Sequence, residues 1–151
     1  MTDPGGRASR HASCVALGGH GVLILGESGS GKSDLALRLI DQPGRGIGED
    51  VLTARLVADD QVMLEVRDGR LIARPAPVLA GLLEVRGVGI VRVDHLDSDV
   101  VDLVVDLLPV EKIERLPEAD DCRMVVNGIG LPRVAVDPRS ASAPARVRCA
   151  L

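Results

Sequence analysis

Residues 21–40 read as an apolar strand, a glycine-rich loop and a helix in unbroken succession, and no other stretch constrains the fold as much. Gly21–Leu25 (GVLIL) is a continuous apolar run of the kind that forms a strand buried on both faces. Ser33–Ile40 (SDLALRLI) holds strong helix formers with apolar residues on a broad face. Asp41–Asp50 (DQPGRGIGED) is rich in Gly and Pro and ends that helix. Between strand and helix, Gly26-Glu27-Ser28-Gly29-Ser30-Gly31-Lys32-Ser33 fits the pattern G-x-x-x-x-G-K-[ST]. The glycines let the backbone curl so that several N–H groups point inward at phosphate oxygens. The helix brings its positive end to the same place. Lys32 is placed to neutralise β- and γ-phosphates, and the Ser33 hydroxyl to ligate Mg²⁺. A plain Gly/Ser-rich turn would need neither Lys32 nor Ser33. The expectation is a nucleoside triphosphate site at Gly26–Ser33.

The 151 residues suit a single domain, 1–151, with one core. The chain has no Phe, Tyr or Trp, so Val, Leu, Ile and Ala must build that core, and stacking of bases on aromatic rings is excluded. A net charge of −4 without a basic stripe argues against nucleic acid or an anionic membrane as partner. Cys14, Cys122 and Cys149 are odd in number and far apart, which fits reduced thiols in a cytosol better than disulfides or zinc. There is no signal-peptide pattern and no apolar run of roughly 18 residues, so a cytoplasmic location is expected.

Elsewhere the chain reads as short strands: Arg55–Ala58, Val62–Val66, Leu71–Arg74, Val88–Val93, Val100–Leu108, Met124–Val126 and Val134–Val136. The Asp68-Gly69 pair supplies the positive φ of a tight hairpin, which requires antiparallel pairing. Val78–Leu83 reads as a short helix or turn. The ends, about 1–9 and 140–151, are polar or Ser/Ala/Pro/Arg-rich and are expected to be mobile. The sum is a mixed α/β sheet with one or two helices.

A phosphate loop binds a nucleotide but does not activate an acceptor; a kinase also needs carboxylates near the γ-phosphate and the metal. Asp59 and Asp60 end a strand, and neighbours on an extended chain face opposite ways, so one can serve the metal and the other the acceptor. A solvated turn is the competing account. Asp102 and Asp106, four apart on a strand, are a rival metal site or a plain solvent face. Glu84 beside Arg86 reads by itself as a surface ion pair. His11, His20 and His95 carry no catalytic context of their own.

Taken in order, GVLILGESGSGKSDLAL, LVADDQV and LLEVRGVGIVRV resemble the catalytic domain of HPr kinase/phosphorylase, over about Arg10–Val93 and weakly to Arg139. The resemblance implies a P-loop kinase fold akin to phosphoenolpyruvate carboxykinase. It implies ATP and Mg²⁺ as cofactors, a serine of HPr (the small phosphocarrier of the sugar phosphotransferase system) as acceptor, and a hexamer. Carried over, Lys32 and Ser33 match the loop's Lys and metal-ligating Ser. Asp59 and Asp60 match the acidic pair, with Asp60 the expected proton acceptor. Glu84 matches a magnesium-associated Glu, and Arg86 the adjacent Arg. His11, fifteen residues before Gly26, matches the catalytic-site His, whereas His20 does not. Some features depart from the family. Neither the separate N-terminal domain of full-length relatives nor the C-terminal helix that engages the acceptor is expected from these residues. Residues 41–50 read as an insert, and Asp34 replaces the customary Glu. The Pro-Gly-Arg-Asn segment tied to dephosphorylation has only the degenerate counterpart Asp137-Pro138-Arg139-Ser140. The expectation is therefore an HPr(Ser) kinase rather than a phosphorylase. The alternatives are a non-catalytic ATP sensor or a P-loop kinase of another acceptor.

Overall fold

The computed structural model describes residues 8–151. In chain order the elements are β1 (Ala8–His11), β2 (Ser13–Leu17), β3 (His20–Leu25), α1 (Lys32–Asp41), β4 (Ala54–Ala58), β5 (Gln61–Arg67) and β6 (Arg70–Pro75). A 3₁₀ turn at Pro77–Leu79 precedes β7 (Leu82–Val85), β8 (Gly89–Arg92), β9 (Asp99–Leu107), β10 (Arg123–Val126), β11 (Ile129–Val136) and α2 (Ala143–Cys149). Nine strands form one mixed sheet, with β1, β5, β6, β9, β3, β2 and β4 side by side in that order. Strand β9 runs parallel to β3 and to β11, while the other pairings are antiparallel. β7 and β8 make a separate hairpin.

The parallel centre explains the apolar runs. Strands β3 and β9 are covered on both faces, so their sequences show little alternation. On one face α1 sets Leu35, Ala36 and Leu39 against Val22, Ile24, Leu56, Leu103 and Val105. On the other, Leu23 and Val104 meet Val57, Val62, Leu64, Leu71 and Leu131. Each such Leu or Val contributes about 1.5–3 kcal/mol on burial, which allows a core without aromatic rings. Close approach fixes one residue outright: a Cβ at Gly21 would lie 2.1 Å from the Val100 carbonyl oxygen, where the register between β3 and β9 shifts. The β5–β6 turn is as expected, with Asp68 at φ 53° and Gly69 at φ 75°.

Parts of both chain ends, expected to be mobile, belong to regular elements where the structure describes them. Residues 1–7 lie outside the described residues, but Ala8 and Ser9 belong to β1, which pairs along the edge of β5. The Ser/Ala/Pro/Arg-rich tail forms α2, in which Ala143, Pro144 and Val147 are buried. The physical anchor is polar. Arg148, only 6% exposed, donates to the carbonyls of Leu39, Gln42 and Leu52, at the end of α1 and beyond the 41–50 segment. A cation there also faces the negative end of the α1 dipole. Two further expectations are refined. Val78–Leu83 divides into the 3₁₀ turn and the start of β7, and Ser13–Leu17 is an additional buried strand. Among the described residues no helix is long and apolar enough to cross a membrane.

Replacing Arg148 by Ala would leave those carbonyls without their donor. A loss of about 2 kcal/mol is expected, seen as a drop of roughly 4–8 °C in a thermal melt followed by circular dichroism. An unchanged melting temperature would show that α2 is not held this way.

Candidate active site

The loop between β3 and α1 is shaped for phosphate. Gly29 and Gly31 take φ of 76° and 102°, and Gly31 caps the helix. A Cβ on Gly26 would lie 2.4 Å from Ser30 Oγ, so the loop closes over a bare backbone position. The Ser30 hydroxyl is buried with no hydrogen-bond partner among the described residues. Such a group calls for a ligand acceptor. Lys32 is 6% exposed, and its Nζ donates to the carbonyls of Gly26 at 2.9 Å and Glu27 at 2.8 Å. Burial lowers the Lys32 pKa, and the nearby carboxylates of Asp60 and Asp59 oppose that shift. A curled backbone, an ammonium, a helix N-terminus and an orphaned hydroxyl together suit nucleotide phosphates.

Asp59, 6% exposed, stands at the end of β4 behind the loop. Its Oδ1 accepts from Ser33 Oγ at 2.7 Å and from Ser13 Oγ at 2.8 Å, and its Oδ2 accepts the Glu84 backbone N–H at 3.2 Å. Because the Ser33 hydroxyl spends its proton on Asp59, its lone pairs are left for a cation. Magnesium in kinase-type sites uses few protein donors and completes its shell with water and phosphate. The donor set at Ser33, with carboxylates close by, therefore fits Mg²⁺ in company with a nucleotide.

Asp60 faces the other way. The Gln61 N–H donates to the Asp59 carbonyl at 2.7 Å across Asp60, whose φ is 66°. That is a γ-turn of the rare, strained kind, and strain of this sort gathers at functional sites. The Asp60 carboxylate is exposed, with His11 Nδ1 3.3 Å from its Oδ1. His11 reaches it because β1 pairs His11 with Gln61.

The other candidates divide. Glu84 is held at the site through its backbone, and its carboxylate is exposed. Arg86, in the turn after β7, is exposed and makes no bond among the described residues. Asp106 is bound at 2.7 Å by Arg133, and Asp102 at 3.0 Å by His20, so these acids are engaged on β9. His95 lies 3.5 Å from Asp97, away from the loop.

Sequence reasoning passed over Ser13, the one polar residue of a fully buried strand. It also left Asp137-Pro138-Arg139 a faint match, yet this segment borders the loop. A Cβ on Gly31 would meet Pro138 at 3.1 Å, and Arg38 of α1 donates to the Pro138 and Ser140 carbonyls. Asp137 accepts from the Arg139 guanidinium, from the Arg139 N–H and from the Val110 N–H. Those bonds, Arg139's first, pull the Asp137 carboxyl down from 3.8 to about 2. A depressed acid stabilises the fold above its ordinary pKa and stops doing so as pH falls through the folded value. Asp137→Asn is thus expected to melt below the wild type at neutral pH, and the gap to close between about pH 4 and 2. Melts of both proteins across that range check it.

The chain matches the family model described as HPr Serine kinase C-terminal domain over residues 5–146. It is 37% identical over 141 residues to an HPr kinase/phosphorylase of Limosilactobacillus reuteri (strain DSM 20016), covering 86% of this chain and 41% of that protein. It is 39% identical over 141 residues to one of Streptococcus thermophilus (strain ATCC BAA-491 / LMD-9), covering 86% of this chain and 42% of that one. The chain therefore spans about two fifths of the length of these relatives. Among solved structures it resembles the HPr(Ser) kinase/phosphatase from Coxiella burnetii, with a TM-score of 0.74 and 27% identity over 93% of this chain and 86% of that one.

Proposed function

The chain belongs to the HPr serine kinase C-terminal domain family, and from that premise we propose that it transfers the γ-phosphoryl group of ATP to a serine of an HPr-like phosphocarrier protein. The observation that carries the reading is the split of the acidic pair. Asp59 is buried against the loop hydroxyl Ser33, whereas Asp60 is exposed beside His11. One acid serves the nucleotide side and the other the acceptor side.

On this reading Gly26–Ser33 cradles the phosphates, and Lys32 turns its ammonium from the Gly26 and Glu27 carbonyls to the β/γ oxygens. Ser33 and Glu84 are the residues that would hold Mg²⁺, which when bound offsets charge on the terminal phosphates. Asp60 takes the proton of the acceptor serine as its oxygen bonds to the γ-phosphorus and the bond from that phosphorus to the β–γ bridging oxygen breaks. His11 steadies the Asp60 carboxylate, and Arg86 supplies a free cation for the charge that develops. Positioning and electrostatics account for most of the rate. Relatives named HPr kinase/phosphorylase and a solved structure named Hpr(Ser) kinase/phosphatase support the chemistry. A cytoplasmic setting and a hexameric assembly are carried over from the resemblance.

Incubation with γ-labelled ATP, Mg²⁺ and HPr is expected to place label on an HPr serine. Lys32→Ala should remove the label, and Asp60→Asn should lower kcat by about 10²–10⁴-fold while sparing ATP binding. ATP binding with no labelled acceptor would favour a nucleotide-sensing module, and an Asp60→Asn protein of unchanged turnover would remove Asp60 from the mechanism.

A further inference from the structure

We infer that Ser13 is a positioning residue of this site: its buried hydroxyl holds Asp59 so that the Ser33 hydroxyl keeps its lone pairs turned toward the cation of a bound metal–nucleotide complex. The inference rests on the reading of Gly26–Ser33 as a nucleotide site.

Ser13 opens β2, where all five residues are buried, and it is fully inaccessible to solvent. It sits one strand away from the loop, opposite Ile24 of β3. A hydroxyl in such a place costs free energy unless it is bonded. Its donor bond goes to Asp59 Oδ1 at 2.8 Å, the same oxygen that accepts from Ser33 at 2.7 Å. The Asp60 N–H points back at Ser13 Oγ from 3.5 Å. Ser13 thus touches both members of the acidic pair, at the strained turn that sends their side chains apart.

The geometry has a direct consequence for Ser33. Asp59 is anchored by two donors besides Ser33: the Ser13 hydroxyl on Oδ1 and the Glu84 amide on Oδ2. With Ser13 present, the carboxylate is fixed on both oxygens, and Ser33 has one acceptor in one direction. Without it, Oδ1 is held only by Ser33, and the carboxylate is free to turn about the Glu84 bond. The Ser33 rotor then loses its fixed partner. Affinity for the metal–nucleotide complex should fall, while affinity for the metal-free nucleotide, set by the backbone cradle and Lys32, should not.

The test compares Ser13→Ala and Ser13→Thr with wild type by calorimetric titration of ATP with and without Mg²⁺, after melts have shown each variant folded. Ser13→Ala should weaken Mg²⁺–ATP binding by about tenfold and leave Mg²⁺-free ATP binding within about twofold, since one hydrogen bond to a charged group is at stake. Ser13→Thr, which restores the hydroxyl, should return the metal-dependent affinity. Equal loss with and without Mg²⁺, no loss, or failure of Ser13→Thr to rescue would each overturn the inference. The readout needs no acceptor, so a failed transfer assay counts against the kinase reading and an unchanged Ser13→Ala affinity against Ser13.

Discussion

A carboxylate with 6% of its surface in water is costly to keep unless donors surround it, and around Asp59 those donors come from three different parts of the chain. The Ser13 hydroxyl arrives on β2, the Ser33 hydroxyl on the first turn of α1, and the Glu84 amide on β7. Sequence separations of 46, 26 and 25 residues are closed on one side chain. The sheet brings β2, β3 and β4 together as neighbours, so strand order is what makes this convergence possible. The β7–β8 hairpin stands outside the large sheet, and its amide bond to Asp59 is one of the ties that seat it over the loop.

The same economy governs the back of α1. The helix has an apolar inner face, but the segment after it is Gly-rich and supplies little to pack. Arg148 fills that gap with hydrogen bonds where a larger core would use aromatic rings. In the last turn of the helix itself, Arg38 performs a matching task by holding the Pro138 and Ser140 carbonyls. Two arginines thus tie a helix whose first residue is Lys32 to the C-terminal segment. The position of that ammonium depends on these contacts outside the phosphate loop as well as on its bonds to the Gly26 and Glu27 carbonyls within it.

What could be read from the sequence was local. The strand, loop and helix at 21–40 declare themselves because apolar run, glycines and helix formers follow one another directly, and the Asp68-Gly69 turn needs only two residues. The Asp59–Asp60 pair is a local signal, His11 is picked out only by the family resemblance, and the structure sets His11 Nδ1 3.3 Å from Asp60 Oδ1. What escaped was non-local or polar. β1 is an edge strand of Ala, Ser, Arg and His that is held by backbone pairing, so it carries no apolar pattern. α2 joins three small buried apolar residues to one buried guanidinium, and the guanidinium is a signal no periodicity contains. Asp106, read with Asp102 as a rival metal site or a plain solvent face, has its ion-pair partner in Arg133, which is distant in sequence. Ser13 carries no signal in the sequence because its partner lies 46 residues away.

The adjacent acids have the same chemistry and opposite surroundings, and the backbone is the cause. An ordinary strand end would send Asp59 and Asp60 to opposite faces and leave both free to turn. The γ-turn instead drives Asp60 outward at φ 66° while its predecessor stays inside the bond network. Both oxygens of Asp59 already accept hydrogen bonds, which makes it a poor proton acceptor for an incoming hydroxyl and a good anchor for Ser33. Asp60 has solvent access and, among the described residues, His11 as its ion-pair partner. On the proposed reading the acceptor serine therefore meets the carboxylate that is able to take its proton. The strain of that turn is balanced by the four strands that frame it: β4 leads in, β5 leads out, β1 pairs across from Gln61, and β2 places Ser13 behind it.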